Sequence, residues 1–301
     1  MALRRPLIGP AGLSILAAGA EGPTPPSGGK TGPAPGQGDL MTVTENTALA
    51  RMRRGEIASG LIVRQARTVD IAKIAKASGH DWLMIDLEHS SLDLDLACQL
   101  CVAALDTGVT PIVRVPSHDQ FQAARVLDGG AMGVIVPHVN NAEEARAIVA
   151  NCKYPPVGHR SLSGAAPQLD FAALSPAEAI ETLNAQMMLI VMLETPEAIE
   201  NADEIAAVEG IDVLLIGSND LTAEMGIPGQ YAHERVREAF QRTADAARKH
   251  GKFAGIGGIY DEEIAARYIA LGFLFVLAGS DYGFLMASAK ARSAFLRKLP
   301  V

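Results

Sequence analysis

The chain has 301 residues, 49% of them hydrophobic and 20% charged, so it can bury one large core or two modest ones. A formal net charge of -8 without a long basic run argues against nucleic acid and anionic membrane as partners. Three cysteines, an odd number, suggest no disulfide framework and fit a reducing, cytoplasmic setting.

Residues 1–45 differ in composition from the rest. Gly, Pro, Ser and Thr dominate 22–38, a stretch that cannot form a packed core and is expected to be disordered. Ahead of it, Arg4-Arg5 and the apolar stretch 6–20, ending in Ala18-Gly19-Ala20, faintly resemble an export signal. Pro10 and several glycines interrupt that stretch, and it is too short to span a membrane. A dispensable extension on a cytoplasmic protein is therefore the expectation, with 46–301 as the folded domain. No later segment approaches transmembrane length.

From there the chain alternates. Apolar runs rich in β-branched residues at 60–63, 82–85, 111–115, 133–136, 188–193, 213–216, 253–256 and 273–277 read as buried strands. Helical periodicity marks 68–78, 94–104, 119–128, 142–151, 195–208, 233–250 and 261–271, and 285–299 reads as a carboxyl-terminal helix. Cys98 and Cys101 form a C-x-x-C inside 94–104. With no second pair nearby, helix packing is their expected role. Gly79, Gly108, Gly129, Gly210, Gly251 and Gly272 follow helical stretches and fit helix C′ positions. Eight strands alternating with helices predict an α/β fold, the TIM (β/α)8 barrel, better than an open sheet. The long fourth-to-fifth interval contains Tyr154-Pro155-Pro156-Val157-Gly158-His159-Arg160-Ser161, expected as a loop on the strand-end side.

In such a barrel the residues that follow each strand converge on one mouth. Arg64 follows the first strand. Asp86, Glu88 and His89 follow the second, where a buried apolar run ends abruptly in ionisable side chains, and Arg114 ends the third. Pro137 and His138 follow the fourth strand and Glu194 the fifth. Gly217-Ser218-Asn219-Asp220 follows the sixth, Gly257-Gly258 the seventh and Gly279-Ser280-Asp281 the eighth.

Glu194 and Asp220 stand at the ends of adjacent apolar strands. Two unneutralised carboxylates so close would repel, and one would be forced to keep its proton. A divalent cation resolves the conflict. Oxygen ligation with open positions suits Mg2+ or Mn2+, with Co2+ and Zn2+ as further candidates. In the competing reading Asp220 caps the helix at Leu221-Thr222-Ala223-Glu224 and Glu194 pairs with Arg114, but one arginine cannot neutralise both carboxylates.

These motifs carry a resemblance. Asp86-Leu87-Glu88-His89, Val113-Arg114, Tyr154-Pro155-Pro156-x-Gly158-x-Arg160, Leu193-Glu194-Thr195-Pro196-Glu197-Ala198 and Ile216-Gly217-x-x-Asp220-Leu221 are collinear with the HpcH/HpaI aldolase/citrate lyase family. The chain resembles its metal-dependent class II pyruvate aldolases, of the 4-hydroxy-2-oxoheptanedioate and 2-dehydro-3-deoxyglucarate type. The resemblance implies a carbon–carbon lyase that cleaves or forms 2-oxo-acid aldols through a metal-stabilised pyruvate enolate. Its small-molecule partners would be a 2-oxo acid and an aldehyde. It further implies that Glu194 and Asp220 bind the metal, that Arg114 faces the keto oxygen, and that His89, oriented by Asp86, is the general base. A homo-oligomer, a hexamer with the last helix packed on a neighbouring subunit, is also implied.

The residue chemistry agrees. Retro-aldol cleavage builds charge on the keto oxygen, where a cation and a guanidinium form a preorganised oxyanion site. A histidine beside a carboxylate has a fixed tautomer and a pKa suited to proton transfer. Backbone N–H groups at Asn219 and Asp220, opening a helix after Gly217 and Ser218, suit a substrate carboxylate. Glu88 reads as a group that supports Arg114 or metal-bound water.

Four positions depart from the family pattern. Met192 stands where many relatives carry glutamine, Ser218-Asn219 replaces Pro-Ala, and Ser161 replaces the glycine after Arg160. The alternatives are another reaction that uses a metal enolate (oxaloacetate decarboxylation, citryl-type cleavage, or bond formation by a trapped enolate as in macrophomate synthase) and a non-catalytic 2-oxo-acid-binding barrel. Gly255-Ile256-Gly257-Gly258 is also compatible with a phosphate site, although glycine equally permits close packing at a barrel mouth.

Overall fold

The computed structural model describes residues 44–117 and 120–300. Eight strands, β1 (Ala58–Val63), β2 (Trp82–Asp86), β3 (Thr110–Arg114), β4 (Gly133–Val136), β5 (Met188–Leu193), β6 (Val213–Gly217), β7 (Phe253–Gly257) and β8 (Phe273–Ser280), pair in chain order, and β8 closes on β1. Every pairing is parallel, and each strand overlaps the run that predicted it. The fold is the expected (β/α)8 barrel. Residues 1–43, nearly all of the predicted extension, lie outside the described residues, as does the first position of the helix expected over 119–128.

Alternation along the strands separates two cores. Leu83, Ile85, Val113, Val134, Val191 and Leu214 face the surrounding helices. Trp82, Met84, Ile112, Ile135, Ile190 and Leu215 fill the barrel interior. The same period then places Asp86 above Met84, Arg114 above Ile112, Glu194 above Met192 and Gly217 above Leu215. The functional side chains point inward because the apolar residues below them do.

The opposite end is plugged. Helix Thr47–Arg53, not anticipated from the sequence, puts Ala48, Leu49 and Met52 against the interior layer. Asn46 caps it, accepting from the Leu49 N–H at 2.9 Å while its amide donates to the carbonyls of Met132 and Gln186. Just above, Trp82 stacks on Phe275 with centroids 3.9 Å apart and donates its indole N–H to the Ala58 carbonyl at 3.1 Å.

Three expectations are corrected. The stretch 154–161 follows helix Ala142–Cys152, which runs back along the barrel, so it lies at the amino-terminal end and not on the strand-end side. Lys153 Nζ there reaches the Met187 carbonyl at 2.5 Å and Asp212 at 3.4 Å, residues that precede β5 and β6. Arg160 pairs with Asp128 at 2.5 Å and sits over the Tyr154 ring, so it and Ser161 are remote from the mouth. The helix expected over 195–208 is two short helices, Pro196–Glu200 and Ala202–Ala206, hinged at Asn201. Finally, Gly129 is not left-handed; Gly130 is, at φ 109°, and a Cβ on Gly129 would overlap the Cys98 sulfur. The other five predicted C′ glycines do have positive φ.

No helix among the described residues is long and apolar enough to cross a membrane. The three cysteines are free, with Cys101 and Cys152 buried.

Gly60 is where β1 leaves room for the Trp82 indole, which any Cβ would overlap. Gly60→Val is expected to destabilise the fold by about 1–3 kcal/mol. The measurement is a urea midpoint followed by emission of Trp82, the sole tryptophan of the chain. An unchanged midpoint would contradict this packing.

Candidate active site

A cavity of about 600 Å3 opens at the carboxyl ends of the strands. Arg64, His89, Arg114, Met192, Glu194 and Asp220 line it, with Tyr260, Tyr282 and Phe284 toward its rim. The far wall is backbone at Gly257, Gly258 and Gly279.

Asp86 is fully buried at the base of this mouth. Its carboxylate accepts from Arg114 Nε at 2.9 Å and Nη2 at 2.7 Å, and from Arg64 Nε at 2.6 Å. The backbone N–H groups of Glu88 and His89 also donate to it, at 3.1 and 3.2 Å. Burial alone would raise its pKa; the hydrogen bonds and charges of Arg114 and Arg64 overrule it and hold the group at about 2. Asp86 therefore orients the two arginines and touches only the backbone of His89. The expected Asp86–His89 side-chain pair does not form.

The imidazole instead has Glu88 as its neighbour, with His89 Nε2 3.7 Å from Glu88 Oε2. Glu88 also pairs with Arg114 Nη1 at 3.0 Å. Of the five N–H donors of Arg114, Nε and one on Nη2 go to Asp86, while Nη1 faces Glu88 at 3.0 Å and the Met192 sulfur, so one donor on Nη2 is left for the cavity. His89 is about half exposed, where water and ligand can reach it.

Glu194 is buried and faces two neighbours that the sequence did not assign to it. The His138 N–H donates to its Oε2 at 2.9 Å, and His138 Nδ1 lies 3.3 Å from the same oxygen. His138 holds a left-handed φ of 55°, uncommon outside glycine, which turns that N–H onto the carboxylate. The other ring nitrogen of His138 is 3.6 Å from Glu88. On the opposite side, a Cβ at Gly217 would overlap the Glu194 carboxylate, so only glycine fits there. Burial is the main cause that lifts the Glu194 pKa to about 7; His138 opposes it, and the charges of Asp220 and Glu88 add to it.

Asp220 lines the cavity from helix Ser218–Glu224, exposed and without a hydrogen bond or ion pair to any described residue. Ser218 beside it is fully buried, and its hydroxyl has no partner among the described residues. Asn219 accepts from the Tyr231 hydroxyl at 2.6 Å. The N–H groups at this helix start have no intrahelical acceptor. Met192 puts its sulfur 3.9 Å from Arg114 Nη1, a weak contact where an amide would donate and accept.

The donor set suits a divalent cation. Glu194 is a desolvated carboxylate without a Lys or Arg partner, and Asp220 is a second carboxylate in the same cavity. Among the described residues no group of three or more His, Cys, Asp or Glu side chains forms a closed cage. Two hard oxygens with the remaining positions open match a cation that keeps places for water and substrate.

Residues 61–288 match the model of the HpcH/HpaI aldolase/citrate lyase family. A 4-hydroxy-4-methyl-2-oxoglutarate aldolase of Hapsidospora irregularis is 38% identical over 253 residues, 83% of this chain and 94% of the relative. A 4-hydroxy-2-oxo-heptane-1,7-dioate aldolase of Escherichia coli is 34% identical over 250 residues, again 83% and 94%. The crystal structure of an HpcH/HpaI aldolase from Desulfitobacterium hafniense aligns with a TM-score of 0.80 at 28% identity, covering 84% of this chain and 97% of that one. The chain belongs to the HpcH/HpaI aldolase/citrate lyase family and is an aldolase-type carbon–carbon lyase.

Proposed function

We propose that the cavity carries out reversible aldol cleavage of 2-oxo acids, releasing or consuming pyruvate and an aldehyde or ketone. The observation that carries this reading is the meeting of His89, Arg114, Glu194 and Asp220 in one cavity. Glu194 and Asp220 would hold Mg2+ or Mn2+. When bound, such a cation supplies Lewis-acid polarisation of a 2-oxo acid.

The Arg114 guanidinium faces charge that develops on the keto oxygen as the carbon–carbon bond breaks. It is fixed beforehand by Asp86, so it needs no reorganisation in the transition state. His89 removes the proton of the aldol hydroxyl, through water, with Glu88 beside its Nε2. In the synthetic direction the same imidazole returns it. The N–H groups of Asn219 and Asp220 hold the substrate carboxylate. Met192 favours a second reading, in which the enolate arises by another route, such as loss of CO2 from oxaloacetate followed by protonation to pyruvate, because no amide fixes the pyruvate end. A non-catalytic binder is disfavoured by the presence of base, guanidinium and carboxylate pair together.

The working form is proposed to be a homo-oligomer, a hexamer, in a reducing compartment. Helix Asp281–Leu296 supports the oligomer, since it buries none of its residues and leaves Phe284, Leu285, Phe295 and Leu296 exposed.

Three outcomes are expected. With Mg2+ or Mn2+ the protein exchanges the methyl protons of pyruvate for deuterium, read by proton NMR; silence with every divalent cation would remove the enolate. His89→Asn lowers kcat for aldol cleavage by about 100- to 10,000-fold while the circular dichroism spectrum is kept. Glu194→Ala loses calorimetric Mn2+ binding, and full retention would remove the ligand assignment.

A pH dependence follows from Glu194. Its folded pKa of about 7 exceeds the usual carboxylate value, so between the two the folded chain keeps a proton that the unfolded chain has released. In chelator, Tm is expected to fall as pH rises from about 5 to 8. Glu194→Gln should flatten that slope, and Mn2+ should restore Tm at the upper end. A slope identical in wild type and Glu194→Gln would rule out this origin.

A further inference from the structure

The cavity contains a second guanidinium that the chemistry above leaves unused. Arg64 leaves the end of β1 and lines the cavity with Arg114, Glu194 and Asp220. Its backbone is pinned, because the N–H groups of Arg64, Gln65 and Ala66 all donate to Asp281 Oδ2, at 3.1, 2.8 and 2.8 Å. Its side chain is pinned by Nε, which donates to Asp86 at 2.6 Å. The Nη nitrogens donate to no described residue, and the side chain keeps 24% of its exposure.

Asp86 has no capacity left to occupy those donors. It already accepts five hydrogen bonds, more than the roughly four lone-pair sites of a carboxylate. Glu88, the next acid, is engaged by Arg114. Arg64 is thus a preorganised cation with its paired Nη donors open to the cavity, and planar bidentate recognition of a carboxylate is what such a fork favours.

Its position limits where that carboxylate can be. Arg64 Nε and Arg114 Nη2 donate to the same Asp86 oxygen, so the two cations are neighbours. With Arg114 at the keto oxygen, an anion held by Arg64 lies a few bonds from the reacting carbon and not at the end of a long chain.

We propose that Arg64 is a specificity-determining residue that receives a carboxylate borne on the acceptor carbon, selecting 2-oxo dicarboxylates of 2-oxoglutarate length. The assignment rests on the 2-oxo-acid reading above, and the test separates the two. The Mn2+-loaded full chain is titrated calorimetrically with 2-oxoglutarate and with 2-oxopentanoate, which share the 2-oxo end and carbon skeleton and differ in the second carboxylate.

Wild type is expected to bind 2-oxoglutarate about 10- to 100-fold more tightly. Arg64→Gln should collapse that ratio by about tenfold or more, and Arg64→Lys, which keeps the charge but not the fork, should give an intermediate ratio. A ratio near unity in wild type, an unchanged ratio in Arg64→Gln, or tighter binding of the longer 2-oxoheptanedioate would overturn the proposal. If Arg64→Gln fails to fold, the lysine variant decides, and a ratio equal to wild type overturns it. Failure of wild type to bind either ligand would overturn the 2-oxo-acid reading itself, and this role with it.

Discussion

The mouth of this barrel depends on one buried carboxylate. Asp86 has no solvent contact, yet it stays ionised because two guanidiniums and two backbone N–H groups replace the water it lost. Without it Arg114 would have neither a fixed plane nor a preferred side. Removing one member of such a buried group typically costs about 3–5 kcal/mol, since the partners are left charged and dry. The desolvation that makes Asp86 costly to remove also makes the remaining donor of Arg114 strong, because it acts in a medium of low dielectric.

The two halves of the mouth differ in how their charges are met. On the β1–β3 side, Asp86 and Glu88 balance Arg64 and Arg114 in formal charge, within hydrogen-bond distance. On the β5–β6 side, Glu194 and Asp220 have no Lys or Arg partner among the described residues, and only the His138 N–H and ring relieve Glu194. One half of the mouth is thus charge-balanced by its own side chains, and the other is not. Substrate would lie between them, reached by donors from one side and by the carboxylate pair from the other.

The strands and the inward placement of the site were legible in the sequence for a common reason. A parallel strand covered on both faces reads as a continuous apolar run, and an ionisable residue at its end stands out against it. Asp86, Arg114 and Glu194 were found this way. The partner of Asp86 was not, because Arg64 and Arg114 lie 22 and 28 residues away and only the pairing of β2 with β1 and β3 brings them together; His89, three residues on in sequence, looked like the nearer candidate. His138 gave even less signal, since its role comes from a left-handed backbone and a main-chain N–H. The misplaced Arg160 loop was decidable in principle. A segment that follows a helix in a βα unit returns to the amino-terminal end, whatever its local motif.

The glycine wall of the cavity bears on how this enzyme can diverge. A Cβ at Gly257 would stand 2.8 Å from Leu277, Gly258 holds a φ of 90° against the Asn219 side chain, and a Cβ at Gly279 would press into the Phe284 ring. Drift is opposed by left-handed backbone at Gly258 and Gly279 and by the Leu277 side chain at Gly257. Tyr260 and Tyr282, 55% and 43% exposed on the same rim, are under no such restraint. Heritable change in what the pocket accepts therefore meets less resistance at these two aromatic positions than along the glycine wall.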